Sequence, residues 1–421
     1  MSTVVEAVRA KARVRTGPRS AAVRIALLGV GHVGGAVAAL LRTNPLAGRF
    51  TITSGLVRDI TCSRPNAAHV ALTCDPAAAL HGDPDLVIEV LGGLEPARTL
   101  VMNAIERRIP VVTANKSLLA AHGGELLAAA ARYGVPFRYE AAVLAGVPFL
   151  GTFDRRPLAR AITGASGIVN GTTNFILSKM SVEGTRFNAA LQEAQQCGYA
   201  EPDPSNDING TDAAEKLCVL MRHFCGSSVF PAQLERVGIE TISPEDLRAA
   251  RELGGALKPV VHVQWNAGEC SAFTGPAFVP NSHPLSRIDG VQNAVLLRNA
   301  SRGNLLFAGP GAGPDITAAT LLDDAIEIVE ECRPAQPAIE TTRSMFVKPA
   351  ETGWFVRIPH ALDERDRLSL FGIAVQRAVV KAGQSVVLTH SCEREQFSSA
   401  LRELERRAGC AVSALRVLCE N

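Results

Sequence analysis

The sequence is poor in aromatic side chains, which make up 5% of its 421 residues, and neither sign of charge dominates. Its 43 basic and 41 acidic residues leave a net charge of +2, too little to attract nucleic acid or an anionic membrane, so neither is expected as a partner. The ten cysteines (62, 74, 197, 218, 225, 270, 332, 392, 410 and 419) form no CxxC pair and never gather with the nine histidines at zinc-ligand spacing. Zinc is therefore not expected, and reduced thiols in a cytoplasmic protein are. Long apolar runs are missing too: Ile25–Leu41 lacks acids, Lys and Arg but is short for a membrane span and interrupted by Gly29, Gly31, Gly34 and Gly35. Residues 1–20 carry Arg9, Lys11, Arg13, Arg15 and Arg19 against Glu6, with no apolar core of signal-peptide type. Residues 1–21 therefore read as a flexible basic leader.

Apolar residues are plentiful at 47%, enough to fill the cores of two or three domains in a chain of this length. Val23–Gly29, Thr51–Val57, Leu86–Val90 and Ile109–Val112 are short apolar runs of the kind found in strands buried on both faces. Helical patterns at Ala36–Leu41, Ala97–Arg107 and Ser117–Ala131 alternate with them, which predicts an open parallel sheet of the α/β class. From about residue 150 the texture changes. A strand over Arg160–Val169, helices over Thr172–Met180 and Phe187–Gln196, a loop over 198–209 and a helix from Thr211 follow. Strands at Val260–Trp265, Gly290–Leu297 and Asn304–Phe307 suggest a second, mixed sheet, and Asp315–Glu330 reads as an amphipathic helix. Beyond residue 350 the pattern gives three strands, Trp354–Ile358, Ser385–Thr389 and Ala411–Val417, with helices near Asp363–Phe371 and Arg394–Arg407.

Gly29, Gly31 and Gly34 form GVGHVG between the first strand and first helix, the context in which this pattern signals a dinucleotide. Gly29 permits the tight turn, Gly31 the approach of a pyrophosphate, and Gly34 close packing of helix on sheet. The second strand ends in Arg58 and Asp59. Arg58 suits a 2′-phosphate and favours NADP, whereas Asp59 would serve the 2′-hydroxyl of NAD. Ala114-Asn115-Lys116 follows another strand of the same sheet, where Lys116 either meets a negatively charged ligand or simply opens a surface helix.

A second constellation lies between 199 and 216. Pro202 and Pro204 restrict a loop carrying Glu201 and Asp203, and Asp212 and Lys216 share a helical face. Carboxylates can hold a substrate ammonium while a lysine exchanges a hydroxyl proton as hydride leaves carbon. The bland alternative is a solvated loop followed by a surface ion pair. Glu140, ahead of small residues and Gly146, combines a carboxylate with exposed carbonyls, as a hard cation or a structural loop would require. In Gly171-Thr172-Thr173-Asn174 a permissive turn meets good helix-capping residues.

Taken together, GVGHVGGAV (29–37), VIEVLGGLEPA (87–97), PVVTANKSLLA (110–120), NGTTNFILSKM (170–180) and GYAEPDPSNDINGTDAAEKL (198–217) resemble the homoserine dehydrogenase family. HPLSRIDGVQNAV (283–295) and AGPGAG (308–313) agree with them, and the likeness spans roughly residues 22–335. The resemblance implies reversible NAD(P)-dependent interconversion of L-homoserine and L-aspartate 4-semialdehyde, on the route to threonine, isoleucine and methionine. It implies that Lys216, Asp212 and Lys116 are catalytic and that Glu201, Tyr199 and Asp207 bind substrate. Gly29, Gly31, Val33, Gly34, Arg58, Gly92, Asn115 and Lys116 would cradle the coenzyme, with NADP favoured over NAD. Glu140, with the carbonyls of Val143, Ala145 and Val147, resembles the family's sodium site.

The architecture implied is a Rossmann-type dinucleotide-binding domain (22–155), a mixed α+β catalytic and dimerisation domain (156–315), and a helix and linker (316–345) returning to the nucleotide domain. A small degenerate ACT-like domain would occupy 346–421. Homodimers are expected, with a tetramer as the alternative. ALDERDRLSLFGIAV lacks the glycine turn at which an amino-acid effector binds, so threonine inhibition is not expected. The rival readings are a related oxidoreductase acting on another small amino alcohol or semialdehyde, and a catalytically silent nucleotide-binding regulator.

Overall fold

The computed structural model describes residues 22–156, 159–266, 268–331, 345–349, 351–363, 369–381 and 383–418. The expected basic leader at 1–21 lies outside them. The described residues fall into two compact units. One is drawn from within Met1–Arg160, Cys218–Phe230 and Ala312–Arg343, the other from within Ala161–Leu217, Pro231–Gly311 and Ser344–Asn421. This partition departs from the expected boundaries, since 218–230 folds with the first unit and the C-terminal residues with the second.

In the first unit, β1 (Val23–Leu28), β2 (Phe50–Leu56), β3 (Leu72–Thr73), β4 (Leu86–Glu89), β5 (Val111–Thr113) and β6 (Phe137–Arg138) form one sheet. All its pairings are parallel and its order is β3-β2-β1-β4-β5-β6. The order reverses between β1 and β4, which opens a crevice at the carboxyl ends of those strands. Helices α1 (His32–Thr43), α2 (Pro76–Ala79), α3 (Ala97–Glu106) and α4 (Lys116–Tyr133) supply the crossovers, and α5 (Leu150–Asp154) follows. Apolar side chains of β1 and β4 (Ile25, Leu27, Leu86 and Ile88) are buried, as strands covered on both faces require. Helix α11 (Pro314–Glu331) joins this core through Ala318, Leu321, Leu322, Ala325 and Ile328, spaced along one face beside Val37 of α1.

The second unit contains α6 (Gly171–Glu183), α7 (Phe187–Gln196), α8 (Ser205–Ile208), the start of α9 (Thr211–Cys225) and α10 (Pro244–Glu252). Its mixed sheet is built from β7 (Ile162–Ile168), β8 (Glu235–Arg236), β9 (Gly255–Asn266), β10 (Glu269–Pro280), β11 (Gln292–Asn299) and β12 (Gly303–Pro310). It continues through β13 (Phe346–Lys348), β14 (Trp354–Ile358), β15 (Ser369–Leu370), β16 (Ile373–Lys381), β17 (Gln384–Thr389) and β18 (Ser413–Val417). The path runs β12-β11-β7-β9-β10-β18-β14-β17-β16-β15, with β8 and β13 also on β10. Ile176, Leu177 and Met180 of α6 pack with Leu257, Phe278 and Phe355 of the sheet, and α12 (Arg394–Ala408) buries Phe397, Ala400 and Leu404 against Trp354 and Val356.

Several elements depart from the sequence expectations. The 198–209 loop contains the short helix α8. Strand β10, which no sequence expectation placed, runs through Gly275 and Pro276; in the sheet Pro276 faces Pro259 of β9. Strands β15 and β16 bring the antiparallel C-terminal strands to two more than the three expected; β16 buries a single residue, Ile373, and lacks a strand's regular alternation of buried and exposed positions. The helix expected over Asp363–Phe371 falls largely on 364–368, outside the described residues, and its end is the strand β15. Among the described residues no helix is long and apolar enough to cross a membrane.

The C-terminal half of α9 is anchored in the first unit. Arg222 Nη1 donates to the Leu119 carbonyl of α4. Tyr139 Oη lies 2.9 Å from His223 Nδ1, and His223 Nε2 is 3.5 Å from Asp154 Oδ1. Burial pushes the His223 imidazole down to about 4, against the pull of Asp154. A neutral ring can accept a hydrogen bond from the Tyr139 hydroxyl at Nδ1. Unfolded histidine binds its proton near 6.5, so stability present above that pH is lost as pH falls toward 4. The expected loss is about 3 kcal/mol at full effect, at a rate of about 1.4 kcal/mol per pH unit. Urea midpoints between pH 7 and 4 should show it, and His223→Phe should flatten that slope. An unchanged slope in the variant would refute the assignment.

Candidate active site

The nucleotide fingerprint sits at the crevice of the parallel sheet. Gly29 has φ +105, and a Cβ there would strike the Val90 carbonyl. A Cβ on Gly34 would run into the Gly29 carbonyl, so α1 lies against the turn as closely as backbone allows. At Gly31 nothing of the protein lies within 4 Å of such a Cβ. This open space before α1, whose first turn holds no acid, fits a pyrophosphate resting on helix amides. Val33 packs beside the core as a half-buried residue of α1, and Gly92 lies across the crevice in a left-handed conformation with open space above it.

A carboxylate that sequence reasoning missed organises this crevice. Glu89 ends β4 with no exposed surface. Its Oε1 accepts from the Leu91 amide at 2.8 Å and Asn115 Nδ2 at 3.2 Å, and its Oε2 from the Thr113 hydroxyl at 2.5 Å. Asn115 Nδ2 also donates to the Gly93 carbonyl at 2.8 Å, and its Oδ1 caps α4 by accepting from the Leu118 amide at 3.0 Å. Burial raises the Glu89 pKa, and the Thr113, Leu91 and Asn115 hydrogen bonds oppose that rise. One buried carboxylate thus ties the ends of β4 and β5 to the 91–93 turn and to the residue before Lys116. Lys116 itself is half-buried at the first position of α4.

Beyond β2, Arg58 is exposed and makes no hydrogen bond or ion pair among the described residues. Asp59 is already engaged: its Oδ1 accepts from the Thr61 amide at 2.8 Å and hydroxyl at 2.7 Å, which hold its carboxyl below the usual range. Arg64 staples this loop to the fingerprint, donating from Nε to the Val30 carbonyl at 2.8 Å and from Nη1 to the carbonyls of Asp59 and Cys62.

Glu140 is buried, and both its oxygens accept backbone amides, those of Phe149 (2.8 Å), Leu150 (2.9 Å) and Gly151 (2.7 Å) at the start of α5. Its own amide donates to Asp324 Oδ2 at 3.0 Å, and the Ala145 carbonyl accepts the Thr320 hydroxyl. Val143 and Val147 line the same buried turn. Three amides and a helix start account for the carboxylate without a cation, so the donor set adds no support to the sodium reading.

In the second unit the structure joins Asp207, Asp212 and Lys216 in one hydrogen-bonded chain. Lys216 Nζ donates to the Val169 carbonyl at 2.7 Å and lies 2.9 Å from Asp212 Oδ2. Asp212 is 6% exposed, which rules out the surface-pair reading. Asn170, missed as a site residue, donates from Nδ2 to Asp207 Oδ1 (2.7 Å) and Asp212 Oδ2 (2.9 Å) while its Oδ1 caps α6 at the Thr173 amide (2.9 Å). The Thr172 hydroxyl donates to the Tyr199 carbonyl at 2.6 Å, and the exposed Tyr199 ring lies 5.0 Å from that of Phe175. Glu201 is exposed, and its carboxylate has no protein partner among the described residues. A lysine held by a carbonyl and a carboxylate retains a third N–H for a ligand oxygen, and an unengaged carboxylate suits a ligand cation.

The chain is similar to known proteins along most of its length. A family model described as "Homoserine dehydrogenase" matches residues 148–326, and one described as "Homoserine dehydrogenase, NAD binding domain" matches residues 29–140. The homoserine dehydrogenase of Lactococcus lactis is 37% identical over 404 residues, 89% of this chain and 94% of the relative. The crystal structure of a homoserine dehydrogenase from Thiobacillus denitrificans superposes with a TM-score of 0.86 at 32% identity, covering 94% of this chain and 98% of that one. A hyperthermophilic archaeal homoserine dehydrogenase in complex with NADPH gives a TM-score of 0.63 at 26% identity over 75% of this chain and 99% of its own. With a glycine fingerprint on a parallel sheet and a half-buried lysine against a buried aspartate in the mixed unit, this chain belongs to the homoserine dehydrogenase family.

Proposed function

We propose an assignment of roles within the NAD(P)-dependent interconversion of L-homoserine and L-aspartate 4-semialdehyde, the activity of this enzyme family. Lys216 is the acid–base group. In the oxidative direction it takes the hydroxyl proton of homoserine, and in the reductive direction it returns that proton to the aldehyde oxygen. When bound, the nicotinamide accepts or gives the hydride. Asp212 holds the amine of Lys216, Lys116 adds a second positive charge for substrate or coenzyme, and Glu201 takes the substrate ammonium. Tyr199 and Asp207 complete the substrate pocket. The observation that carries this reading is the amine of Lys216 fixed between the Val169 carbonyl and buried Asp212. Gly29, Gly31, Val33, Gly34, Gly92 and Asn115 would hold the coenzyme. Coenzyme absorbance at 340 nm with homoserine, set against other small amino alcohols, tests the assignment; preferential turnover of another alcohol would overturn it.

NADP is the coenzyme this reading favours, since Arg58 has no partner among the described residues while Asp59 is occupied by Thr61. The archaeal relative bound to NADPH points the same way. Arg58→Ala should lower kcat/KM for NADPH about tenfold or more and leave that for NADH nearly unchanged, the loss expected for a charge-assisted contact to phosphate. Equal losses with both coenzymes would sink the NADP preference.

The order β18-β14-β17-β16, with α12 between β17 and β18, supports an ACT-like C-terminal region joined to the mixed sheet. Activity measured against threonine concentration tests whether it regulates, and no inhibition is expected. A cytoplasmic homodimer is the proposed assembly, in line with the exposed Leu306 on β12, and light scattering on the purified protein tests it.

A further inference from the structure

We infer that Asn170 is a positioning residue that sets the Asp207–Asp212–Lys216 chain; the inference rests on the role given to Lys216 above. Asn170 follows β7 and caps α6, a position at which asparagine, aspartate and serine serve about equally well. Capping alone does not explain the choice. The Thr173 amide can only donate, so the side-chain oxygen of Asn170 must face it, and the Thr173 hydroxyl turns to the same oxygen at 2.9 Å. That fixes the amide nitrogen on the opposite side. There its two hydrogens reach Asp207 Oδ1 at 2.7 Å and Asp212 Oδ2 at 2.9 Å.

Asn170 and Asp212 are each 6% exposed, so bulk water does not replace the bond between them at little cost, and the bond to half-buried Asp207 is shielded at its donor end. Two carboxylates from different helices, α8 and α9, are thereby held on one neutral donor. The oxygen of Asp212 that takes this bond is also the one beside Lys216 Nζ. Asn170 therefore decides where that oxygen points, and so where the lysine amine is held.

Two cap-retaining variants separate this role from helix capping. Asn170→Ser keeps the cap and removes the donor to both carboxylates. Asn170→Asp keeps the cap and sets a third negative charge against them. Both should melt within a few degrees of the parent protein and bind coenzyme with unchanged KM. Their kcat for homoserine oxidation should fall, about tenfold for serine and about a hundredfold for aspartate. Parent-like kcat in both, or a kcat loss matched by a comparable loss of thermal stability, would reduce Asn170 to a cap and overturn the inference. Lys216→Met run alongside keeps the two levels apart. An inactive Lys216→Met with parent-like Asn170 variants defeats only this inference, whereas an active Lys216→Met defeats the assignment beneath it as well.

Discussion

Replacing Lys216 with methionine is expected to lower kcat about a thousandfold in both directions of the reaction, the middle of the range for a lost general acid–base group. Methionine keeps most of the side chain's length and removes the amine. The Val169 carbonyl and Asp212 each lose one partner, which costs about 1–3 kcal/mol and leaves the fold intact. Coenzyme affinity should stay at the parent value, because the fingerprint belongs to the other unit. Asp212→Asn should be milder, since it retains an acceptor for Lys216 and loses only charge. Steady-state rates with homoserine and with the semialdehyde decide the matter. Turnover by Lys216→Met within tenfold of the parent enzyme would remove the lysine from the chemistry.

The second large effect is expected at Gly34. Alanine is intrinsically the better helix former by about 0.5–1 kcal/mol, so propensity alone predicts a gain. Its Cβ, however, would occupy the place of the Gly29 carbonyl, and neither backbone can yield without lifting α1 from the sheet. Overpacking of this kind costs about 1–3 kcal/mol or more and should win. Gly34→Ala is expected to lower Tm by about 5 °C or more and to abolish measurable coenzyme binding. Gly31→Ala is the contrast. Its Cβ meets no protein atom, so Tm should hold while coenzyme affinity falls, because the space is kept for the ligand. Differential scanning fluorimetry with and without NADPH separates the two. Equal Tm losses would show that both glycines serve packing alone.

How much of this was legible in the sequence follows from how local each signal is. The fingerprint, the buried strands and the Asp212–Lys216 spacing are short-range patterns, and each lies where the sequence placed it. The capping box of α10, Ser243 with Asp246, is an equally local signal that the sequence expectations did not use. Strand β10 was not legible, since Gly275 and Pro276 break its pattern and only the facing strand β9 shows why they are tolerated. Glu89 and Asn170 were illegible for a different reason. Each looks like an ordinary polar residue at the end of a strand, and its partners lie far away in the chain, at 113 and 115 for one and at 207 and 212 for the other.

The C-terminal strands bear on how this protein could be shortened. Because β18 pairs with β10 through Ala277 and Phe278, the tail is not a detachable module on a tether. A truncation before residue 346 would uncover a stretch of β10 whose bare amides and carbonyls, flanked by Phe278, form a sticky margin prone to self-association. Engineering a minimal enzyme would therefore call for a redesigned edge there, with lysine or proline as guard residues, before the tail is removed.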